Sequence, residues 1–226
     1  MSDSLESKLL KFWTCEGLGV EQDCVDVIDS LIDDSIVFKD GKYYIDLPKR
    51  EDASLAGDNF QNASNRFRSL ERRFQRQPDF EKVYSASLGE KISLGVIEKS
   101  SSDDAGHKGM TYYMPHSAVI REDKVTTKVR IVFDAYCQDH GVSLNDTLQK
   151  GIPRYTELFT VLQKIRVHKW VVLSDIEKAF YQVHLKDDDK DLLRLLWRDE
   201  QGERQVFRFT RVCFGLVTSM TLWEML

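Results

Sequence analysis

Five apolar residues, Phe60, Ala63, Phe67, Leu70 and Phe74, step along the chain by 3, 4, 3 and 4 positions. That spacing lays one continuous apolar stripe on a helix, and it predicts an amphipathic helix over 59–77. Arg66, Arg68, Arg72, Arg73 and Arg76 lie mostly off the stripe, and Pro78 ends it. A helix of this kind requires an apolar surface to cover. A second helix is predicted over about 79–92, from Phe80 through Tyr84 and Leu88. From residue 111 the texture changes to short β-branched and aromatic runs, and the class is α+β.

The strand signals fall in order. Tyr112–Ile120 and Thr126–Phe133 read as strands around a turn at Arg121–Lys124. Leu192–Trp197 and Gln205–Phe209 flank a turn at Asp199–Gly202. Asp139–Asn145 reads as loop, with Ser143 or Asn145 able to cap a turn. Tyr155–Val167 reads as a helix with Leu158, Val161, Leu162 and Ile165 on one face. Trp170–Asp175 reads as a buried strand ending in a carboxylate. Upstream, helical patterns run through Leu5–Trp13 and Val25–Ile32. Two β-prone runs then flank Asp40-Gly41, a strong hairpin signal.

Charge is uneven. The 226 residues carry 32 basic and 37 acidic groups, a net of −5. Residues 1–60 hold six basic and fourteen acidic groups, a net of −8; residues 61–100 hold eight and five, a net of +3; the remainder balances. An acidic total argues against a dedicated nucleic-acid binder, but the acid sits in the N-terminal segment. Cys15, Cys24, Cys137 and Cys213 form neither a Cys-x-x-Cys pair nor a dense disulfide framework, which favours reduced thiols in a cytoplasmic or nuclear setting. No apolar run approaches membrane length, and Met1–Glu6 is unlike a signal peptide. His107, His116, His140, His168 and His184 show no i, i+4 pairing, and no nucleophile elbow or phosphate-binding glycine loop occurs.

The stretch Val171-Val-Leu-Ser-Asp175-Ile-Glu-Lys-Ala-Phe180 carries the most chemical information. A carboxylate at a strand end suits a divalent metal, because the strand fixes the oxygen where Mg²⁺ needs it. On the residues alone, Asp175 can equally cap the turn that follows. Phe180 can be an ordinary core aromatic, and Lys128 and Arg130 read as solvated charges two residues apart on one strand face. Asp187-Asp188-Asp189, bracketed by Lys186 and Lys190, reads as a solvated turn.

Five blocks occur in sequence: Tyr113-Met-Pro-His-Ser-Ala-Val; Thr127-Lys-Val-Arg130-Ile-Val-Phe-Asp134; Gly141-Val-Ser-Leu-Asn-Asp146; the Asp175 stretch; and Val206-Phe-Arg-Phe-Thr-Arg-Val-Cys-Phe214-Gly-Leu216. Their series strongly resembles the fingers and early palm of a reverse transcriptase from a Bel/Pao-type long-terminal-repeat retrotransposon polyprotein. Leu10-Lys-Phe-Trp13, Asp40–Pro48 and Asn65–Leu70 resemble the segment that precedes it. The resemblance implies a partial DNA/RNA polymerase fold, fingers plus the first half of the palm, preceded by a mainly helical segment. Its implied boundaries are an acidic linker over 1–58, a helical connector over 59–110 and the polymerase-like region over 111–226.

The resemblance also implies roles. Asp175 is the first catalytic aspartate and, with the Ile176 carbonyl, a ligand of two Mg²⁺ ions. Lys128 and Arg130 clamp the triphosphate of a dNTP, Phe180 stacks under the deoxyribose and blocks a 2′-hydroxyl, and Phe214 and Gly215 shape the nucleotide pocket. Apart from the resemblance, the arginine-rich helix offers Arg66, Arg72 and Arg73 as candidate contacts for nucleic acid, an RNA or DNA template-primer in a polymerase. The implied activity is RNA-directed DNA synthesis, a two-metal nucleotidyl transfer. The chain departs from the family at Cys213 and near Met220, where proline is usual. It also holds no aromatic-x-Asp-Asp hairpin after Leu216. The expectation is therefore a fragment inactive on its own, truncated before the second catalytic block, with self-association through uncovered palm strands. The alternative is a non-catalytic nucleic-acid binder or an inert domesticated or decayed retroelement remnant. No membrane partner is expected.

Overall fold

A computed structural model describes residues 36–55, 57–100, 111–120, 129–150 and 158–219. The helical patterns read in 1–35, Lys128 and the turn at 121–124 lie outside the described residues.

Asp40 and Gly41 take φ of 52° and 73°. Two successive left-handed residues make the turn whose twist matches a hairpin. They join β1 (Val37–Lys39) to β2 (Lys42–Ile45) in the register Val37↔Tyr44 and Lys39↔Lys42. On its other edge β2 pairs in parallel with β6 (Val183–Leu185), Tyr43 opposite Val183. The hairpin expected in an acidic linker is thus part of a three-stranded sheet built largely from its own strands.

The stripe from Phe60 to Phe74 becomes α1 (Phe60–Arg76), whose Ala63, Phe67, Leu70 and Phe74 are buried. Gln77, preceding proline, is pushed to φ −136°, ψ 76° and closes the helix. Pro78 then opens α2 (Pro78–Ser93) at its first turn, where a missing N–H costs nothing. Both helices lie against a second sheet of order β3–β8–β7: β3 (Ile97–Lys99), β7 (Arg194–Arg198) and β8 (Arg204–Phe209). The seam is aromatic. Trp197 stacks on Tyr84 with centroids 5.6 Å apart and meets Phe74 edge-on at 6.1 Å. Each buried ring here stabilises the fold by about 3–5 kcal/mol relative to alanine.

β4 (His116–Ile120) and β5 (Val129–Phe133) form a separate antiparallel pair. His116 is buried between layers, its Nδ1 2.5 Å from the Tyr84 hydroxyl and its Nε2 2.8 Å from the Leu196 carbonyl. Nε2 must donate to that carbonyl, so Nδ1 accepts from Tyr84. Asn59 works as a strand surrogate: its Nδ2 donates to the Tyr113 carbonyl at 2.8 Å and its Oδ1 accepts from Tyr113 N–H at 2.7 Å. This ties the start of α1 to the chain entering β4.

Two expectations fail. Trp170–Asp175 is not a strand and not buried: Trp170, Val172 and Leu173 are 80%, 89% and 88% exposed. A strand needs a ladder partner to satisfy its backbone groups, and among the described residues none pairs with this run. The helix before it, following the short α3 (Leu144–Thr147), is α4 (Leu158–Val167); it forms but buries no side chain. The second failure is Asp189. It lies in a 3₁₀ helix, Asp187–Leu193, and is buried, accepting from Leu47 N–H at 2.5 Å and pairing with Lys49. Its neighbour Asp187 stays exposed as expected and pairs with Lys190. No helix among the described residues is long and apolar enough to cross a membrane.

Candidate nucleotide-binding site

Phe180 sits on the 3₁₀ turn Ala179–Gln182 that leads into β6. It is buried, and its ring meets Phe214 edge-on with centroids 4.4 Å apart. Phe214 itself is 61% exposed. Two aromatic residues 34 positions apart in sequence thus make one ring pair with an open side.

Gly215 explains why the Phe214 loop has its shape. Its φ is +106°, and a Cβ there would sit 2.5 Å from the Phe133 carbonyl oxygen. Only glycine accepts both the conformation and the approach. Asn145 holds the loop from the other side, donating Nδ2 to the Gly215 carbonyl at 2.8 Å and accepting Val217 N–H on Oδ1 at 2.9 Å. Asn145 is placed by α3, whose capping box is reciprocal: Asp146 N–H bonds to Ser143 Oγ, and Ser143 N–H to Asp146 Oδ2 at 2.9 Å. The Ser143 hydroxyl and N–H hold the Asp146 carboxyl below its usual range. Of the two expected capping residues, Ser143 caps and Asn145 clasps the loop.

Cys213, one residue before Phe214, is buried, and burial pushes its thiol up to about 12, so it is an inert apolar filler.

Asp175 is on the surface, its Oδ1 accepting from the Ile176 N–H at 3.0 Å. This is the local turn-capping geometry rather than a carboxylate fixed at a strand end. Ile176 is exposed. Arg130 is exposed on β5, across from Val119. Among the described residues no group of three or more His, Cys, Asp or Glu is arranged to hold a metal ion. The Asp175 carboxylate and the Ile176 carbonyl are hard oxygen donors of the kind Mg²⁺ takes, but one carboxylate fits a single ion completed by substrate phosphates, not a resident pair.

The arginine helix divides. Arg66 pairs with Asp134 at 2.5 Å, linking α1 to the end of β5. Arg73 lies over the Phe80 ring at 4.1 Å and donates to Gln77 Oε1. Arg72 is exposed and borders, with Arg73 and Arg76, a shallow cleft of about 330 Å³.

Of the residues the resemblance names for a nucleotide site, Phe180 touches Phe214, the neighbour of Gly215; Lys128 lies outside the described residues, and Arg130, Asp175 and Ile176 are exposed. Sequence reasoning missed the Asn145 clasp, for which the only sequence signal was the Ser143–Asp146 spacing beside it. Compared with models of protein families and with curated proteins, the chain finds no match in either.

Proposed function

We propose that this chain is the fingers and early-palm region of a Bel/Pao-type reverse transcriptase, and that the surface at Phe180 and Phe214 receives a deoxynucleoside triphosphate. The supporting observation is convergence. Phe133, Asn145, Phe180 and the Phe214–Val217 loop come from four separate sequence blocks, yet each touches another at this one spot.

In this reading Phe180 is the flat wall under the sugar. Its rigidity follows from burial on one side and Phe214 on the other. The exposed Phe214 ring offers a stacking face, and Gly215 lets the backbone come close. Arg130, and Lys128 beside it in sequence, offer charge to the triphosphate; the planar guanidinium suits paired phosphate oxygens. Asp175 and the Ile176 carbonyl would hold the Mg²⁺ that accompanies the nucleotide. When bound, that ion neutralises phosphate charge. The full reaction is template-directed nucleotidyl transfer, which needs further carboxylates beside Asp175; the property this reading assigns to the described surface is nucleotide binding.

The test is nucleotide binding by the whole chain, followed by fluorescence of a labelled dNTP with unlabelled dNTP and rNTP as competitors. Wild type should prefer the deoxy form, and Phe180→Ala should bring the two within about twofold. Equal competition by both forms in wild type would sink the assignment. Primer extension that depends on Asp175 would show that residues of this chain supply the further carboxylates as well.

A second reading, a non-catalytic nucleic-acid binder, draws on the Arg72, Arg73 and Arg76 group around its shallow cleft. It predicts salt-sensitive duplex binding that Arg72→Glu with Arg73→Glu removes.

A further inference from the structure

A cleft of about 530 Å³, larger than the 330 Å³ cleft beside Arg72, opens on the face of sheet β1–β2–β6, and Phe180, Phe214 and Gly215 do not line it. Strand alternation decides what it presents. Ile45, Val183 and Leu185 point to the core and are buried. The opposite face carries Tyr44 and His184, cross-strand neighbours whose rings lie 5.1 Å apart at 36°. Lys39 and Lys42, paired across the hairpin, extend the same face by one row.

Charge on this face is mostly positive. Lys186 is engaged by Asp46 at 2.5 Å and Lys190 by Asp187 at 2.7 Å. Lys39 and Lys42 have no carboxylate partner among the described residues, and Asp40 at the hairpin tip is the only acid left on the cleft wall without a cation. Arg211, bridged to His184 through the backbone, donates to the carbonyls of Tyr181 and Leu94 and pairs with no acid among the described residues. The His184 imidazole is held below its usual range by partial burial and then by Arg211, Lys42 and Lys190, which places those cations within electrostatic reach of the ring pair.

We infer that this sheet face binds single-stranded nucleic acid, with unpaired bases on the Tyr44–His184 rings and backbone phosphates along Lys39, Lys42 and Arg211. Neighbouring aromatic rings on adjacent strands, flanked by basic residues, are what stacking recognition of a single strand requires. A duplex hides its base faces, and a small anion has no use for the rings. The inference does not depend on the polymerase reading, because none of its residues serves the nucleotide site.

The test uses the full chain and a fluorescein-labelled twelve-nucleotide oligo(dT), followed by anisotropy at several salt concentrations. Lys39→Glu with Lys42→Glu should weaken binding at least tenfold and lower the salt slope by about 1.4, two phosphate contacts at about 0.7 each. Tyr44→Val, which keeps strand propensity, should weaken binding about 5- to 100-fold by removing a stacked base. Ultraviolet crosslinking of wild type should attach oligo(dT) to the peptide holding Tyr44 or His184. Unchanged affinity in both sheet variants, or crosslinks confined to other peptides, would overturn the inference. So would displacement of the oligomer by polyglutamate or inorganic phosphate as readily as by unlabelled oligo(dT), since that marks a general anion surface.

Discussion

Acid should destabilise this protein through His116 before it reaches the carboxylates. Burial pulls the His116 imidazole from 6.5 down to about 4, against the pull of its bond to the Leu196 carbonyl. In the unfolded chain it takes a proton near 6.5; in the folded chain it resists until about 4. The unfolded state therefore binds more protons across that window. The stability that rests on a neutral His116 is present above about pH 6.5 and is lost as pH falls toward 4. Between pH 7 and pH 5 the loss works out at about 2 kcal/mol, a large share of a typical domain's stability. The assay is urea unfolding followed by tryptophan fluorescence at pH 7, 6 and 5, with Trp197 beside the histidine as a reporter. His116→Gln supplies the comparison. Glutamine keeps an N–H donor and does not titrate, so its lower baseline stability should decline less over the same range. His184 contributes equally to both proteins and cancels in the difference. Parallel pH profiles for wild type and His116→Gln would refute the argument that the Tyr84–His116–Leu196 chain requires a neutral ring.

Three further outcomes follow from the site and its surroundings. Gly215→Ala should cost at least about 2 kcal/mol, from its positive φ and the clash with the Phe133 carbonyl, and should displace Phe214; denaturant midpoints and loss of nucleotide preference report the two effects. Asn145→Ala leaves the Gly215 carbonyl and Val217 N–H without their partner and should cost about 1–3 kcal/mol, measured the same way. Val172→Asp with Leu173→Lys should leave unfolding midpoints within about 0.5 kcal/mol, because both side chains are exposed, while shifting light scattering toward the monomer if the 158–173 surface drives association.

Local chemistry made much of the fold legible. Asp40-Gly41 dictates its hairpin, the Phe60–Phe74 stripe its helix, and Asp199–Gly202 the β7–β8 turn, because each signal is complete within a few residues. What failed depends on partners far along the chain. Nothing near Asp189 announces that Leu47 N–H and Lys49 will bury it. The run Trp170–Leu173 has the composition of a core strand, but apolar side chains do not supply the neighbouring backbone that a ladder needs. The resemblance named Phe180, Phe214 and Gly215 singly, but neither the ring contact nor the Asn145 clasp follows from local spacing, because both depend on how distant segments pack.

The parallel pairing of β2 with β6 also has a consequence during synthesis. Tyr43 and its partner Val183 are 140 residues apart. At 5–20 residues per second the ribosome needs roughly 7–28 seconds to deliver that partner. Until then the β1–β2 hairpin stands alone with one edge of β2 unpaired, and a lone two-stranded hairpin is marginal in water. Phe38 and Tyr43, exposed even in the finished fold, are uncovered throughout. The nascent chain thus offers an adhesive strand for longer than it takes to make most of its helices, and chaperone capture should concentrate on residues 36–45 during that interval.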